Sequence, residues 1–152
     1  MIHWLLCLNR QGKIRLNKYY TAHTSKERER LTKEMINLVL RRHPRHCNFV
    51  PWKDYTIIYR RYASLYFIVC CDTSDNELIM LEIIHLLVRA LDSYFGEVCE
   101  LDLIYNFDRA YQLLDETLMA GELQEVRVKK ITHPLEREDL KESKELLDRV
   151  FV

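Results

Sequence analysis

The chain has 152 residues, 48% of them hydrophobic, which is enough to bury one core, and nothing in it marks a second globular domain. Lys plus Arg balances Asp plus Glu at 23 each, so no overall field exists to hold nucleic acid or a charged membrane surface, and any electrostatic site is local. Three glycines leave little room for a phosphate cradle, and no Walker loop, G-x-G-x-x-G, H-E-x-x-H or G-x-S-x-G occurs, so nucleotide chemistry is not expected and no cofactor is implied.

In chain order, the apolar run Ile2 to Leu8 lacks a basic flank and stops at Asn9-Arg10, too short for a signal peptide or a membrane span, which predicts a soluble, intracellular protein. Ile2, Trp4, Leu6 and Leu8 alternate with His3 and Asn9, Asn9-Arg10-Gln11-Gly12 reads as a turn, and Ile14 to Tyr19 alternates again, predicting a β-hairpin. Thr24 and Glu27 form a capping box. Leu31, Met35, Leu38 and Val39 then recur at helical spacing until His43-Pro44. Phe49-Val50 and Tyr55 to Tyr59 read as strand, Arg60-Arg61 as a polar connection, and Tyr62 to Cys71 as a central strand buried on both faces. Ser74 with Glu77 predicts a second capping box. It opens a helix whose apolar residues, Leu78 to Leu91, go nearly all round, so that it must be covered on most sides before Gly96 stops it. Cys99 to Tyr105 is a short helical turn; Asn106 can cap a further helix carrying Phe107, Tyr111, Leu114 and Leu118, with Gly121 at its C-terminal end. The order β-β-α-β-β-α-α implies a mainly antiparallel sheet with helices on its faces, an α/β (α+β) layered domain.

Five cysteines, at 7, 47, 70, 71 and 99, give no C-x-x-C pair and a poor disulfide framework, which predicts reduced thiols. Cys7, Cys70, Cys71 and Cys99 sit in apolar runs and read as core. His43, His46 and Cys47 approach metal-ligand spacing, but Arg42 and Arg45 beside them disfavour a cation, so a solvated basic loop is the expected state. His85 reads as a satisfied core or interface histidine. Arg10, Lys13, Arg15 and Lys18 share the first hairpin, and Arg60-Arg61 could lie near it. They fit either a solvated sheet edge or recognition of an acidic side chain or phosphate. The segments Ile57 to Phe67 and Val98 to Phe107 combine aromatic and aliphatic residues with a few charges, a composition suited to packing against partners.

These residues resemble a known family. Asn9-Arg10-Gln11-Gly12-Lys13 with Arg15-Leu16, Tyr59-Arg60-Arg61-Tyr62-Ala63-Ser64-Leu65-Tyr66-Phe67, Asp75-Asn76-Glu77-Leu78, Leu81-Glu82 with Ile84-His85, and Cys99-Glu100-Leu101-Asp102 with Asn106-Phe107 are similar to the small (sigma) subunits of the clathrin-associated adaptor complexes. The resemblance runs from Met1 to about Val126. It implies a longin-like, SNARE-like fold with a five-stranded antiparallel sheet flanked by helices over residues 1–126, followed by a charged helical extension over 127–152. It implies a non-enzymatic subunit of a heterotetramer with two large adaptins and a medium subunit, which helps select transmembrane cargo for clathrin-coated vesicles. It also implies a site for acidic dileucine signals: Ala63, Leu65, Val88, Val98 and Leu103 as the apolar pocket, and Arg15 facing the acidic end beside an arginine of a large subunit. Each ligand leucine buried there would be worth roughly 1.5–3 kcal/mol before ordering costs, and engagement of several tails at once would raise the avidity.

Glu97 departs from the family, whose members carry a small or amide residue there, and would repel an acidic residue of the signal by on the order of 1 kcal/mol. Lys26-Glu27-Arg28, Trp52 and Asn76-Glu77-Leu78-Ile79 look like the Golgi and endosomal type of sigma subunit, whereas Asn48-Phe49-Val50 and Ala120-Gly121-Glu122 look like the plasma-membrane type; the former is favoured. In the tail, alternating charges after Pro134 predict a solvated helix, while Glu142-Ser143-Lys144-Glu145-Leu146-Leu147 is itself an acidic dileucine sequence, and Leu146, Leu147, Val150 and Phe151 also suit a helix docked on a partner. Two other classes compete: a longin-type module without dileucine recognition, and an enzyme using Cys99 or His85, which lack a nucleophile-base-orienter pattern.

Overall fold

A computed structural model describes residues 1–151; Val152, the last residue of the expected extension, lies outside them. Five strands, β1 (Ile2–Leu8), β2 (Ile14–Tyr19), β3 (Phe49–Trp52), β4 (Tyr55–Tyr62) and β5 (Leu65–Asp72), form one antiparallel sheet in the order β2-β1-β5-β4-β3. Helix α1 (Ser25–Leu40) covers one face. Helices α2 (Glu77–Phe95), α4 (Phe107–Thr117) and α5 (Val128–Phe151) pack together on the other, with the short α3 (Glu100–Tyr105) between α2 and α4. A two-residue-strand hairpin, β6 (Leu118–Met119) and β7 (Glu122–Leu123), stands apart. This is the expected α+β sheet flanked by helices, and its fifth strand comes from dividing residues 49–62. Trp52 pairs with Tyr55 across a two-residue turn in which Lys53 takes φ +53°.

The central strand β5 behaves as its composition predicts. Leu65, Phe67, Val69 and Cys71 enter the core on the α2 side, while Ile68 and Cys70 enter the core on the α1 side. Strand β1 departs from the expected one-faced alternation because it pairs on both edges. Trp4, Leu6 and Leu8 face α1, whereas Leu5 and Cys7 face α2. The register slips between Ile2 and Trp4, and this bulge puts Ile2 on the same side as Leu5. On the α1 face Trp4 donates its indole N–H to the Met35 sulfur.

Several boundaries differ from expectation. Arg60 and Arg61 are not a connection: β4 continues through them to Tyr62, and the turn is Ala63-Ser64, with Ala63 at φ +53°. Both arginines sit at the strand's exposed end, where charge costs nothing. The cap of α2 is Asn76, whose Oδ1 accepts from the Leu78 and Ile79 N–H groups, rather than Ser74, which falls in the preceding turn. Nor is α2 covered all round, since Leu78 and Ile79 are 67% and 55% exposed. Gly121 does not end α4. With Ala120 it forms the turn of the β6–β7 hairpin, both at positive φ, and its carbonyl accepts from the Ile2 N–H at 2.8 Å. Asn106 precedes α4 without a side-chain cap, whereas Cys99 and Asp102 make a reciprocal box at the start of α3.

Helix α5 begins six residues ahead of Pro134, which falls in its second turn. There the missing N–H deprives only the Lys130 carbonyl. Ile131, Thr132 and Leu135 are buried, so the first turns of this helix belong to the core, and the solvated part begins beyond them. Past Leu135 the helix is held by charge. Arg109 of α4, largely buried, reaches Glu138 at 2.9 Å, Asp139 at 2.8 Å and Glu142 at 3.1 Å, and the Tyr94 hydroxyl donates to Asp139. Desolvation and that hydrogen bond push the Tyr94 phenol up.

Two tests follow from this packing. Arg109→Met keeps the side-chain volume and removes the fork; it should cost about 1–2 kcal/mol and raise amide exchange in residues 138–151 far more than in the sheet, as hydrogen-exchange mass spectrometry would read. Gly121→Ala places a Cβ 2.1 Å from the Ile2 carbonyl oxygen at a φ of +80°. The hairpin must shift off β1, and the thermal midpoint should fall by several degrees, since a strained, clashing backbone costs about 1–3 kcal/mol.

Candidate functional site

The expected site residues come from strands β2 and β5, helices α2 and α3, the β4–β5 turn and the α2–α3 linker. Ala63 is exposed in the β4–β5 turn, and Leu65 follows it as the first residue of β5. Val88 lies on the inner face of α2 and Leu103 on the single buried position of α3. Leu65, Val88 and Leu103, at 2%, 4% and 1% exposure, belong to one apolar cluster, and Val98, half-buried in the linker between α2 and α3, packs against it. The fold therefore gathers these walls at the end of the sheet that carries the turn. In the isolated chain the three most buried ones face each other as core.

The linker is shaped by Asp92. Its backbone carbonyl accepts from the Gly96 and Glu97 N–H groups and its carboxylate from the Val98 N–H at 2.9 Å. Gly96 and Glu97 both adopt left-handed backbone, φ +66° and +67°, which suits glycine and is strained for glutamate. Glu97 is thereby turned out to solvent, where its carboxylate stands next to Val98.

Arg15 on β2 has a partner that its neighbours in sequence do not reveal. Its guanidinium meets Glu100, the first residue of α3, with Nη2 at 2.8 Å and Nε at 2.9 Å from the same oxygen. Asn9, buried in the first turn, donates from Nδ2 to that oxygen at 2.8 Å and accepts the Gln11 and Lys13 N–H groups on Oδ1. The Asn9 amide and the Arg15 guanidinium hold the Glu100 carboxyl below its usual range. The first turn, β2 and α3 are thus tied at one carboxylate. Around it, Leu101, Ile104, Tyr105 and Phe107 are exposed on α3 and at the start of α4, an apolar surface uncovered in the single chain. Glu100 stands 85 residues from Arg15, and only the tertiary contact reveals its role.

The other candidate chemistry is inert or differently placed. Cys7, Cys70 and Cys71 are buried and burial pushes their thiols up, Cys71 to about 12, so none is a thiolate at neutral pH. Cys99, expected in the core, is exposed instead, because its backbone starts α3. His85 stacks on Tyr62 and shares a hydrogen bond with its hydroxyl at 3.3 Å. His43 and His46 each turn Nδ1 to a backbone N–H, of Arg45 and His43 respectively, and among the described residues no three potential metal ligands converge. No helix among the described residues is long and apolar enough to cross a membrane.

Comparison with known proteins gives the same family from three directions. The sequence profile of a family described as clathrin adaptor complex small chain matches residues 1–142. Among curated relatives, AP-1 complex subunit sigma-2 of Dictyostelium discoideum is 59% identical over 137 residues, covering 90% of this chain and 89% of that protein. AP-1 complex subunit sigma-1 of Arabidopsis thaliana is 52% identical over 139 residues, covering 91% and 86%, and AP-1 complex subunit sigma-1A of Homo sapiens is 48% identical over 140 residues, covering 92% and 89%. Among structures, a chain of a full-length AP-3 complex in a stretched open conformation, itself a homology model, superposes with a TM-score of 0.72 at 29% identity over 98% of both chains. With a profile spanning nearly the whole chain and relatives above 45% identity, this protein belongs to the clathrin adaptor complex small chain family, whose members are subunits of trafficking adaptors rather than enzymes.

Proposed function

We propose that the chain is the sigma subunit of an AP-1-type heterotetramer with two large adaptins and a medium subunit. It acts on trans-Golgi and endosomal clathrin-coated membranes and contributes the leucine-binding face for acidic dileucine signals in cargo tails. The observation that carries this reading is that Leu65, which follows the exposed Ala63 turn, shares the α2-side core with Val88 and Leu103, against which Val98 packs, with Arg15 two strands away in the same sheet. The names of the relatives support the AP-1 type over the plasma-membrane type. The balanced charge gives no reason to add a nucleic-acid partner.

The geometry adds a condition to that reading. Leu65, Val88 and Leu103 are closed in the free chain, and Arg15 is already neutralised by Glu100. A signal entering here must displace α3, and its own carboxylate must replace that of Glu100 on Arg15. The Glu100 pair is therefore a latch: it lowers affinity while the site is empty and is exchanged, charge for charge, when a signal arrives.

The first test is recovery of the tagged chain from native cytosol. Two large adaptins and a medium subunit of the AP-1 type should copurify; adaptins of the plasma-membrane type would move the assignment, and an isolated monomer would refute it. Glu100→Gln should strengthen binding of an acidic dileucine peptide by about two- to fivefold, the order of one exposed ion pair, while lowering the thermal midpoint. Because the folded carboxyl titrates below its ordinary value of about 4.5, the stabilisation from its bonds is full above about pH 4.5 and lost as pH falls through the lower folded value. The stability gap between wild type and variant should accordingly close on acidification. Glu97→Ser should reorder peptides that differ only in charge beside the acidic position, favouring acidic ones; an unchanged ranking by fluorescence anisotropy would remove Glu97 from recognition.

A further inference from the structure

On the α1 face, at the same end of the sheet as Ala63, a second site is built from cations without carboxylates. The α1–β3 loop contributes Arg41, Arg42 and Arg45, and the exposed end of β4 contributes Arg61, whereas Arg60 lies over the Tyr62 ring on the α2 side. Among the described residues none of these four has a carboxylate within 4.0 Å, whereas Arg15, Lys18, Lys53 and Arg109 all do. A cavity of about 120 Å³ opens between two of them, Arg42 and Arg61, and is also lined by His43, Asn48, Tyr59 and Tyr66. No acidic side chain lines it.

The two arginines are held in place before any ligand arrives. Arg42 donates from Nε to the Tyr59 hydroxyl at 3.0 Å and from Nη2 to the Cys47 carbonyl at 2.9 Å, and the Tyr59 hydroxyl in turn donates to Cys47 O at 3.4 Å. Arg61 donates from Nε to the Ala63 carbonyl at 2.9 Å, with its guanidinium 5.8 Å from the centre of the Tyr66 ring. The loop itself is pinned by the His43 and His46 rings. Each guanidinium keeps terminal N–H groups uncommitted by these bonds. Two fixed forks with little rotamer entropy left to lose suit a tetrahedral or planar oxyanion better than a metal or an apolar group. The carbonyl end of α1 opposes an anion weakly, and its last carbonyls are partly engaged by the Arg41 and Arg42 N–H groups.

We propose that this cavity binds an acidic or phosphorylated side chain located downstream of the leucine pair in the cargo tail. The inference rests on the dileucine reading above and deepens it. Across the sheet order β2-β1-β5-β4, Arg15 marks where the upstream acidic residue lies and the Ala63 turn where the leucines lie, so a continuing tail runs toward β4. Arg61 is bonded to the Ala63 backbone itself, which puts the second site immediately around the turn. Three extended residues reach about 10 Å, so the third or fourth residue after the second leucine is the one read.

The test is NMR titration of the full chain with four synthetic peptides. The first carries an upstream glutamate, a leucine pair and a neutral downstream stretch; the second places phosphoserine, and the third aspartate, three residues after the second leucine; the fourth is the phosphoserine peptide with both leucines replaced by alanine. The phosphoserine peptide should bind about three- to tenfold more tightly than the neutral one, with aspartate between them and the gain shrinking at high salt. Arg61→Gln, which leaves the loop bonds of Arg42 intact, should erase most of that gain while leaving the affinity of the neutral peptide nearly unchanged; Arg42→Gln should do the same in a folded protein. Equal affinity of the first three peptides, or a gain that survives Arg61→Gln, would overturn the second site while leaving leucine recognition standing. If the alanine peptide bound as well as its parent, leucine recognition itself would fail, and binding of phosphoserine alone at Arg61 would then mark an oxyanion site that is no part of a cargo groove.

Discussion

The structure depends on its neighbouring inner strands, β1 and β5, being apolar on both sides. β5 sits in the middle of the sheet, hydrogen-bonded to β1 and β4, with the α2 core against one face and the α1 core against the other. Two layers of helix are needed to keep it dry, and each layer then sets what its end of the sheet can present. The α2 layer brings the apolar walls of Val88, Val98 and Leu103 up to Leu65. The α1 layer ends at the same edge and delivers the arginine-rich loop. Both proposed sites therefore flank the two-residue β4–β5 turn because β5 must be covered twice.

Charge in this protein is arranged by sign and place rather than by amount. With equal numbers of acids and bases there is no net field, and the pairs that matter join distant segments: Arg109 fastens α5 to α4, and Glu100 fastens α3 to β2. At the α1–β3 loop and the end of β4, Arg42 and Arg61 face a cavity that no acidic side chain lines. A neutral chain can in this way carry both an occupied cation and a vacant cation cluster within one end of a sheet.

Much of the fold was legible in the sequence because its signals are local. The first hairpin, the Thr24 box, the doubly apolar β5 and the Gly96 stop follow from alternation, capping and backbone freedom within a few residues. Expectation failed where two local signals competed. Arg60-Arg61 interrupted an apolar run and looked like a loop, yet a strand end tolerates exposed charge. Ser74 read as the cap of α2, but the Asn76 amide two residues later takes that place. Gly121 looked like a helix stop but serves a hairpin that closes on β1, a contact more than a hundred residues away. The site was legible only through family resemblance, since Leu65, Val88 and Leu103 are individually indistinguishable from core. The pairing of Arg15 with Glu100, and the burial that follows from it, depends on three-dimensional proximity that no spacing encodes.

Tyr111 has a consequence for the kind of partner this domain can accept. Its hydroxyl receives the Asn17 N–H at 2.8 Å and donates to the Asn17 carbonyl at 3.3 Å, occupying outward backbone groups of edge strand β2, while Lys18 beside it is paired to Asp115. The opposite edge, β3, is four residues long and includes Pro51, which has no N–H to offer. Neither margin of the sheet is a template on which a peptide could lie as a sixth strand. Under the proposed function, a cargo tail is read through its side chains at the turn-bearing end, so that tails of unrelated backbone shape can share the proposed site provided their leucines and charges fall at the right spacing.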